Sequence, residues 1–136
     1  MMTALDISAS ALNAQRTRMD VIAGNIANAF STRQEDGTIE PFRRRLVALA
    51  SGAPDGGPGV RVDEVALDES PFAERYQPGH PDARVDGPRA GYVRYPNVSI
   101  SMEYVDALEA ARAYEANVAM MNVSKGMVQQ ALRLFA

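Results

Sequence analysis

The sequence predicts a mainly α-helical chain in which long N- and C-terminal helices pack as a hairpin or coiled coil around an irregular insert containing some β-structure. Two observations predict it. All eight prolines and eight of the ten glycines fall between Phe30 and Ile100, so chain-breaking residues are confined to the middle. Both ends repeat apolar residues every seven positions. The expected organisation is therefore an N-terminal helix over 1–30, a β/loop region over 31–100 and a C-terminal helix over 101–136. The two helices form one helical domain.

In the first helix Leu5, Leu12, Met19 and Ile26 recur every seven residues, with Ile22, Ala9 and Ala23 beside them. This is a heptad seam flanked by small side chains. Thr3, followed three residues later by Asp6, resembles a capping box at the helix start. Asn25 and Asn28 share one face next to Gly24. Taken alone they mark a fraying helix end, since Asn and Gly both weaken a helix interior. The alternative is that their amides bond neighbouring subunits or backbone in a dry interface, where an unpaired amide is costly.

In the middle, Phe42 to Leu49 and Val60 to Leu67 are expected strands, the second alternating only partially through Val60, Val62, Val65 and Leu67. Ser51 to Gly59 is a turn or flexible loop. Tyr76 to Pro96 holds so many prolines and glycines that it should run as an extended segment without regular structure. Arg43-Arg44-Arg45 reads as a solvated strand edge carrying protective charge.

The last helix repeats Ala113, Met120, Met127 and Leu134 every seven residues, with Ala116 and Val123 at the intervening offset. A second row runs through Ala107, Tyr114, Met121, Val128 and Phe135. Two adjacent apolar rows are wider than the stripe that one partner helix covers. A helix of this length, roughly 50 Å, has more apolar surface than a shorter helix in the same chain can bury. Other subunits are implied.

Catalysis finds little support. With no cysteine and a single histidine, His80, among 136 residues, thiolate nucleophiles and cysteine-zinc sites are excluded. His80 sits between Pro78-Gly79 and Pro81, without the spacing of a triad or a metal motif. No enzyme activity, cofactor, metal or small-molecule substrate is expected. The net charge of -3 argues against nucleic acid. The N-terminus lacks the basic and apolar segments of a cleaved signal peptide, and no apolar run is long enough to span a bilayer.

Particular residues then become recognisable. Ser8-Ala9-Ser10-Ala11-Leu12-Asn13-Ala14-Gln15-Arg16, continuing to Asn25-Ile26-Ala27-Asn28-Ala29, resembles the N-terminal signature of bacterial flagellar rod, hook and related axial proteins. Tyr76-Gln77-Pro78-Gly79-His80-Pro81-Asp82-Ala83 and Gly91-Tyr92-Val93-Arg94-Tyr95-Pro96-Asn97-Val98 look like the segment that marks the proximal-rod branch of that family. Ala110-Ala111-Arg112-Ala113-Tyr114-Glu115-Ala116-Asn117, then Lys125-Gly126-Met127, is similar to its final helix. The sequence departs from the pattern at Phe30, at Tyr104 after Glu103, and over 84–90, which looks like a short insertion.

The resemblance implies a structural subunit of the proximal rod, a hollow drive shaft that transmits torque and passes exported subunits. It implies a homo- and hetero-oligomeric helical assembly with other rod subunits, and contact with export-gate and basal-body proteins. The protein would reach the periplasmic rod without signal cleavage. The expected subunit interface comprises Leu5, Leu12, Met19, Ile22, Asn25, Ile26, Asn28, Ala113, Met120, Val123, Met127 and Leu134. Phe42 and Leu46 fit a short aromatic-to-aliphatic pattern of export substrates. The competing expectation is a soluble helical export chaperone or coiled-coil adaptor, which would fold as a stable monomer or dimer with one narrow apolar seam.

Overall fold

The computed structural model describes residues 2–134. In chain order it comprises α1 (Met2–Ala27), β1 (Arg45–Ser51), β2 (Val60–Leu67), β3 (Ala73–Tyr76), β4 (Tyr92–Tyr95) and α2 (Ile100–Leu134). The helices pack antiparallel. Asn25, near the end of α1, meets Glu103, near the start of α2, at 3.1 Å, and the earlier Arg18 meets the later Glu109 at 3.3 Å.

The side of α2 that turns inward follows a strict alternation of four and three residues: Glu103, Ala107, Ala110, Tyr114, Asn117, Met121, Ser124, Val128 and Ala131 are all buried or half-buried. That is a heptad seam, and it coincides with the second of the two rows expected from sequence. Small residues at Ala107 and Ala110 allow close approach, and Ala110 and Ala14 are both fully covered. The Phe135 end of this row lies outside the described residues. So does the side chain of Thr3; α1 already includes Thr3 in its helical span.

α1 stops where its own polar residues take over the free carbonyls. The Asn28 amide donates to the Gly24 carbonyl at 2.9 Å, and Ser31 Oγ donates to Asn28 Oδ1 at 3.2 Å.

β1 and β2 form an antiparallel hairpin whose register pairs Ala48 with Glu64 but Leu49 with Val62. Asp63 is thus an extra residue. This bulge reverses the in-out parity and explains why the apolar positions change from Val60 and Val62 to Val65 and Leu67. The hairpin lies on α1, where Val60 N–H donates to Ser10 Oγ at 3.0 Å. Gly59 is required at this contact: its φ is +151°, and a Cβ there would fall 2.5 Å from Ser10 Oγ. The first strand begins three residues later than expected and ends at Ser51.

The segment from Tyr76 to Pro96 corrects the expectation of an unstructured run. β3 and β4 pair antiparallel, Ala73 with Tyr95 through Tyr76 with Tyr92, and Val93 is sealed from solvent. Each strand has four residues, too few for an alternation pattern to register. Gly91 closes the loop with φ +81°, and any side chain there would collide with the Tyr76 ring. The loop is pinned to the chain after α1 by Asp82, which accepts from Thr32 Oγ1 at 2.7 Å and pairs with Arg33. The Arg33 and Thr32 hydrogen bonds hold the Asp82 carboxyl below the usual carboxylate range.

Candidate assembly surface and its buried anchor

The best-covered large side chains of the molecule include Glu103 and Asn25, at 0% and 1% exposure. A carboxylate without water needs several donors, and two chain segments supply them. Arg44 Nε donates to Glu103 Oε1 at 2.5 Å, and Asn25 Nδ2 donates to Glu103 Oε2 at 3.1 Å. The same Asn25 amide clamps the start of β1, giving a second hydrogen to the Arg45 carbonyl and accepting from the Arg45 N–H, each at 2.9 Å.

Arg44 spreads its remaining nitrogens over Asp106 at 3.2 Å and Asp68 at 3.5 Å, while Arg44 N–H donates to Asn97 Oδ1 at 2.9 Å. Asn97 in turn donates to the Asp68 carbonyl and to Ser70 Oγ. Burial alone lowers the Arg44 pKa, but the Glu103 hydrogen bond and charge, with Asp68 and Asp106, outweigh it and leave the guanidinium above its ordinary value. Asp68 is held below the usual carboxylate range, chiefly by the Ser70 N–H and hydroxyl and then by Arg44. One network therefore ties α1, β1, the segment before α2, and α2 itself at one end of the helix pair.

Arg43-Arg44-Arg45 is accordingly not a plain solvated edge. Arg44 is the hub, and Arg43 donates to the Asp68 and Ser70 carbonyls while stacking 4.2 Å over Phe72. Only Arg45 is exposed. Asn25 takes the backbone alternative, within its own chain, and contributes nothing to the outer surface. Asn28 caps α1 and is half-buried.

The remaining expected interface residues divide by helix. Leu5, Leu12, Met19 and Ile26 are half-buried along the flank of α1, and Ile22 is buried. On α2, Ala113 is half-buried at the margin of the packed side. Met120, Val123, Met127 and Leu134 face solvent at 59%, 56%, 60% and 86% exposure, and Met102 and Val105 extend the same stripe toward the start of the helix. Thus α2 carries two faces, one seated on α1 and one apolar and open. With 35 residues against 26 in α1 and the pair anchored at Glu103, the surplus of α2 falls at its C-terminal end.

Phe42 is half-buried beneath the Arg45 guanidinium, which lies 5.3 Å from its ring centre, and Leu46 is partly exposed on β1. They border different hollows, Phe42 an open groove with Arg43 and Leu67, and Leu46 a smaller one beside Ile22 and Glu103. His80 accepts from the Asp82 N–H at Nδ1, 3.0 Å away, and sets its ring against Tyr95. It is a turn residue. Among the described residues no cluster of three metal-ligating side chains occurs, and no helix is long and apolar enough to cross a membrane.

Sequence reasoning missed Glu103 and Arg44. The signal was present: Glu103 is in heptad phase with Ala107, Ala110 and Tyr114, and a carboxylate in a packing seam demands a cation. The neighbouring basic run supplies one.

Comparison with known proteins finds family matches at both ends of the chain. Residues 89–134 match the family model described as flagellar basal body rod FlgEFG protein C-terminal, and residues 5–33 match flagella basal body rod protein. The flagellar basal-body rod protein FlgC of Bacillus subtilis (strain 168) is 42% identical, over 96% of this chain and 95% of its own length. Its counterpart from Borreliella burgdorferi is 39% identical over 97% and 95%, and that of Salmonella typhimurium (strain LT2) 38% over 95% and 93%.

Proposed function

The chain belongs to the FlgC family of flagellar basal-body rod proteins, structural and non-enzymatic, and from that premise we propose that it builds the proximal rod by seating the open face of α2 on neighbouring subunits. The observation that carries this is the two-faced character of α2. Its inward seam is occupied by α1, yet Met120, Val123, Met127 and Leu134 remain in water. Fully burying such side chains is worth roughly 1.5–3 kcal/mol each. Methionines suit a surface that meets neighbours in slightly different settings, because an unbranched thioether adapts to each.

Copies of the chain and other rod subunits are the proposed neighbours. The half-buried flank of Leu5, Leu12, Met19 and Ile26 supplies complementary apolar surface. Membership of the family leaves no place for the adaptor alternative. Export is proposed to precede folding, without signal cleavage. On the unfolded chain Phe42 and Leu46 are both free to meet the export gate, whereas the folded chain tucks Phe42 under Arg45.

Deleting residues 131–136 tests the assembly reading. The truncated protein should reach the periplasm, since the export features lie far upstream, yet no hook or filament should form. Intact flagella on cells carrying only the truncated chain would refute the role given to this end of α2.

A further inference from the structure

We propose that the β3–β4 unit carries a carboxylate-binding cleft, lined by Arg84, Arg89 and Arg94 beside Phe72, that receives an acidic peptide segment of a neighbouring subunit. That the neighbour is a rod subunit rests on the function proposed above; the chemistry of the cleft does not.

The cleft follows from the strand register. Pairing of β3 with β4 sets Glu74 opposite Arg94, so the two side chains share a face of the ribbon. The connecting loop folds back and is braced by Gly91 N–H to the Arg84 carbonyl at 2.8 Å and Arg84 N–H to the Tyr92 carbonyl at 3.1 Å. This brings Arg84 within 3.9 Å of Glu74 Oε1 and pairs Arg89 with Oε2. Arg94 leans on Phe72, 5.7 Å from the ring centre, and has no carboxylate within 4.0 Å among the described residues. Pro71, Phe72, Glu74 and the three arginines line a shallow, open hollow of about 560 Å³.

Two of the three guanidiniums thus share one carboxylate and Arg94 has none within 4.0 Å among the described residues, which leaves a local excess of two positive charges on a chain whose net charge is -3. Glu74 is mostly covered and attracts two of the arginines to one side of the ribbon. Their free N–H edges are presented with less ordering left to lose on binding. A planar guanidinium fork matches a carboxylate bidentately, and Phe72 with Pro71 offers an apolar wall for the methylene stem of Glu or Asp. A nucleic acid or other polyanion fits less well, because three arginines on a net-negative chain give too few phosphate contacts. A neighbouring copy of this chain brings net negative charge to such a cleft: 17 Asp and Glu against 14 Lys and Arg.

The test uses the full chain and a fluorescently labelled hexaglutamate peptide, read by anisotropy at low salt. Binding should weaken at least tenfold in the Arg84→Gln/Arg94→Gln double variant and should weaken less in Arg94→Lys, which keeps charge but loses the fork. The Arg112→Gln/Arg133→Gln control, on the exposed side of α2, should bind as the parent does. Circular dichroism confirms that each variant is folded; if the double variant unfolds, the Arg94→Lys result decides. No binding by the parent, equal loss in the control, no loss in the folded double variant or, where that variant unfolds, no loss in Arg94→Lys overturns the proposal. So does capture of phosphatidylglycerol vesicles without capture of the peptide. None of these outcomes bears on rod assembly, which the truncation of α2 tests separately.

Discussion

At one end of the helix pair a glutamate is sealed from water; at the other, leucine and methionine stand in it. Glu103 has 0% exposure and Leu134 has 86%. The contrast separates two tasks. Alanine-rich helix faces slide past one another at little cost, because small side chains interlock weakly. A buried carboxylate bound by Arg44 and Asn25 has one acceptable register, since any slip strands its charge. The polar anchor therefore sets how this chain folds on itself, and the open apolar stripe of α2 is left for contacts with other chains.

The comparison breaks most severely if the polar anchor is dispensable. Glu103→Ala removes the acceptor shared by Arg44 and Asn25, and losing one partner of a buried ion pair costs about 3–5 kcal/mol. Urea denaturation should show that loss. A change below about 1 kcal/mol would mean that the apolar seam alone fixes the register.

Asn25→Ala comes next. It deletes one side chain but leaves the Arg45 carbonyl, the Arg45 N–H and Glu103 each short of a partner. The expected cost is about 1–3 kcal/mol, the penalty of buried groups left unsatisfied. A double-mutant cycle with Glu103→Ala should give strongly non-additive losses, because the two residues share one network. Additive losses would separate them.

Acid sharpens the same contrast. Asp68 and Asp82 are both held below the usual carboxylate range. Their contribution is fully present above the unfolded-state value of about 3.9 and is lost as pH falls through the lower folded value. Thermal melts should therefore show the contribution of these two groups intact at higher pH and disappearing only below about pH 4, and Asp82→Asn should flatten that acid limb. An unchanged limb in the variant would show that Asp82 contributes nothing to it.

Both helices were legible in the sequence because a seven-residue apolar repeat sustained over 26 or 35 residues fits a helical period and no strand or loop period. The β1–β2 hairpin was legible in outline. Its bulge at Asp63 was visible only as a fault in alternation, since a parity change looks the same as weak patterning until a partner strand is in place. The β3–β4 ribbon was not legible: four-residue strands separated by a loop rich in proline and glycine carry no period, and their pairing depends on Gly91 fitting against Tyr76. On the surface, the Met120–Leu134 row stood out as surplus apolar area. The anchor did not, because heptad reading attends to apolar positions and passes over a charged residue in the same phase.

The smallest effect on the folded chain is expected from Met127→Asp, and it bears most directly on the division of tasks. Met127 is 60% exposed, so a carboxylate there keeps its water in the isolated protein. Surface substitutions of this kind usually change stability by no more than about 0.5 kcal/mol, and urea denaturation of the variant should overlay that of the parent. In the assembled rod the same carboxylate would enter an apolar contact with no cation assigned to it, where an unpaired charge is expensive. Cells carrying only this variant should export a stable subunit and fail to swim. If the variant unfolds more easily, Met127 belongs to the chain's own core and the two faces of α2 are not distinct. If it is stable and the cells swim normally, the open face is not where neighbouring subunits sit. Only a stable chain that cannot assemble places folding on one face of α2 and assembly on the other.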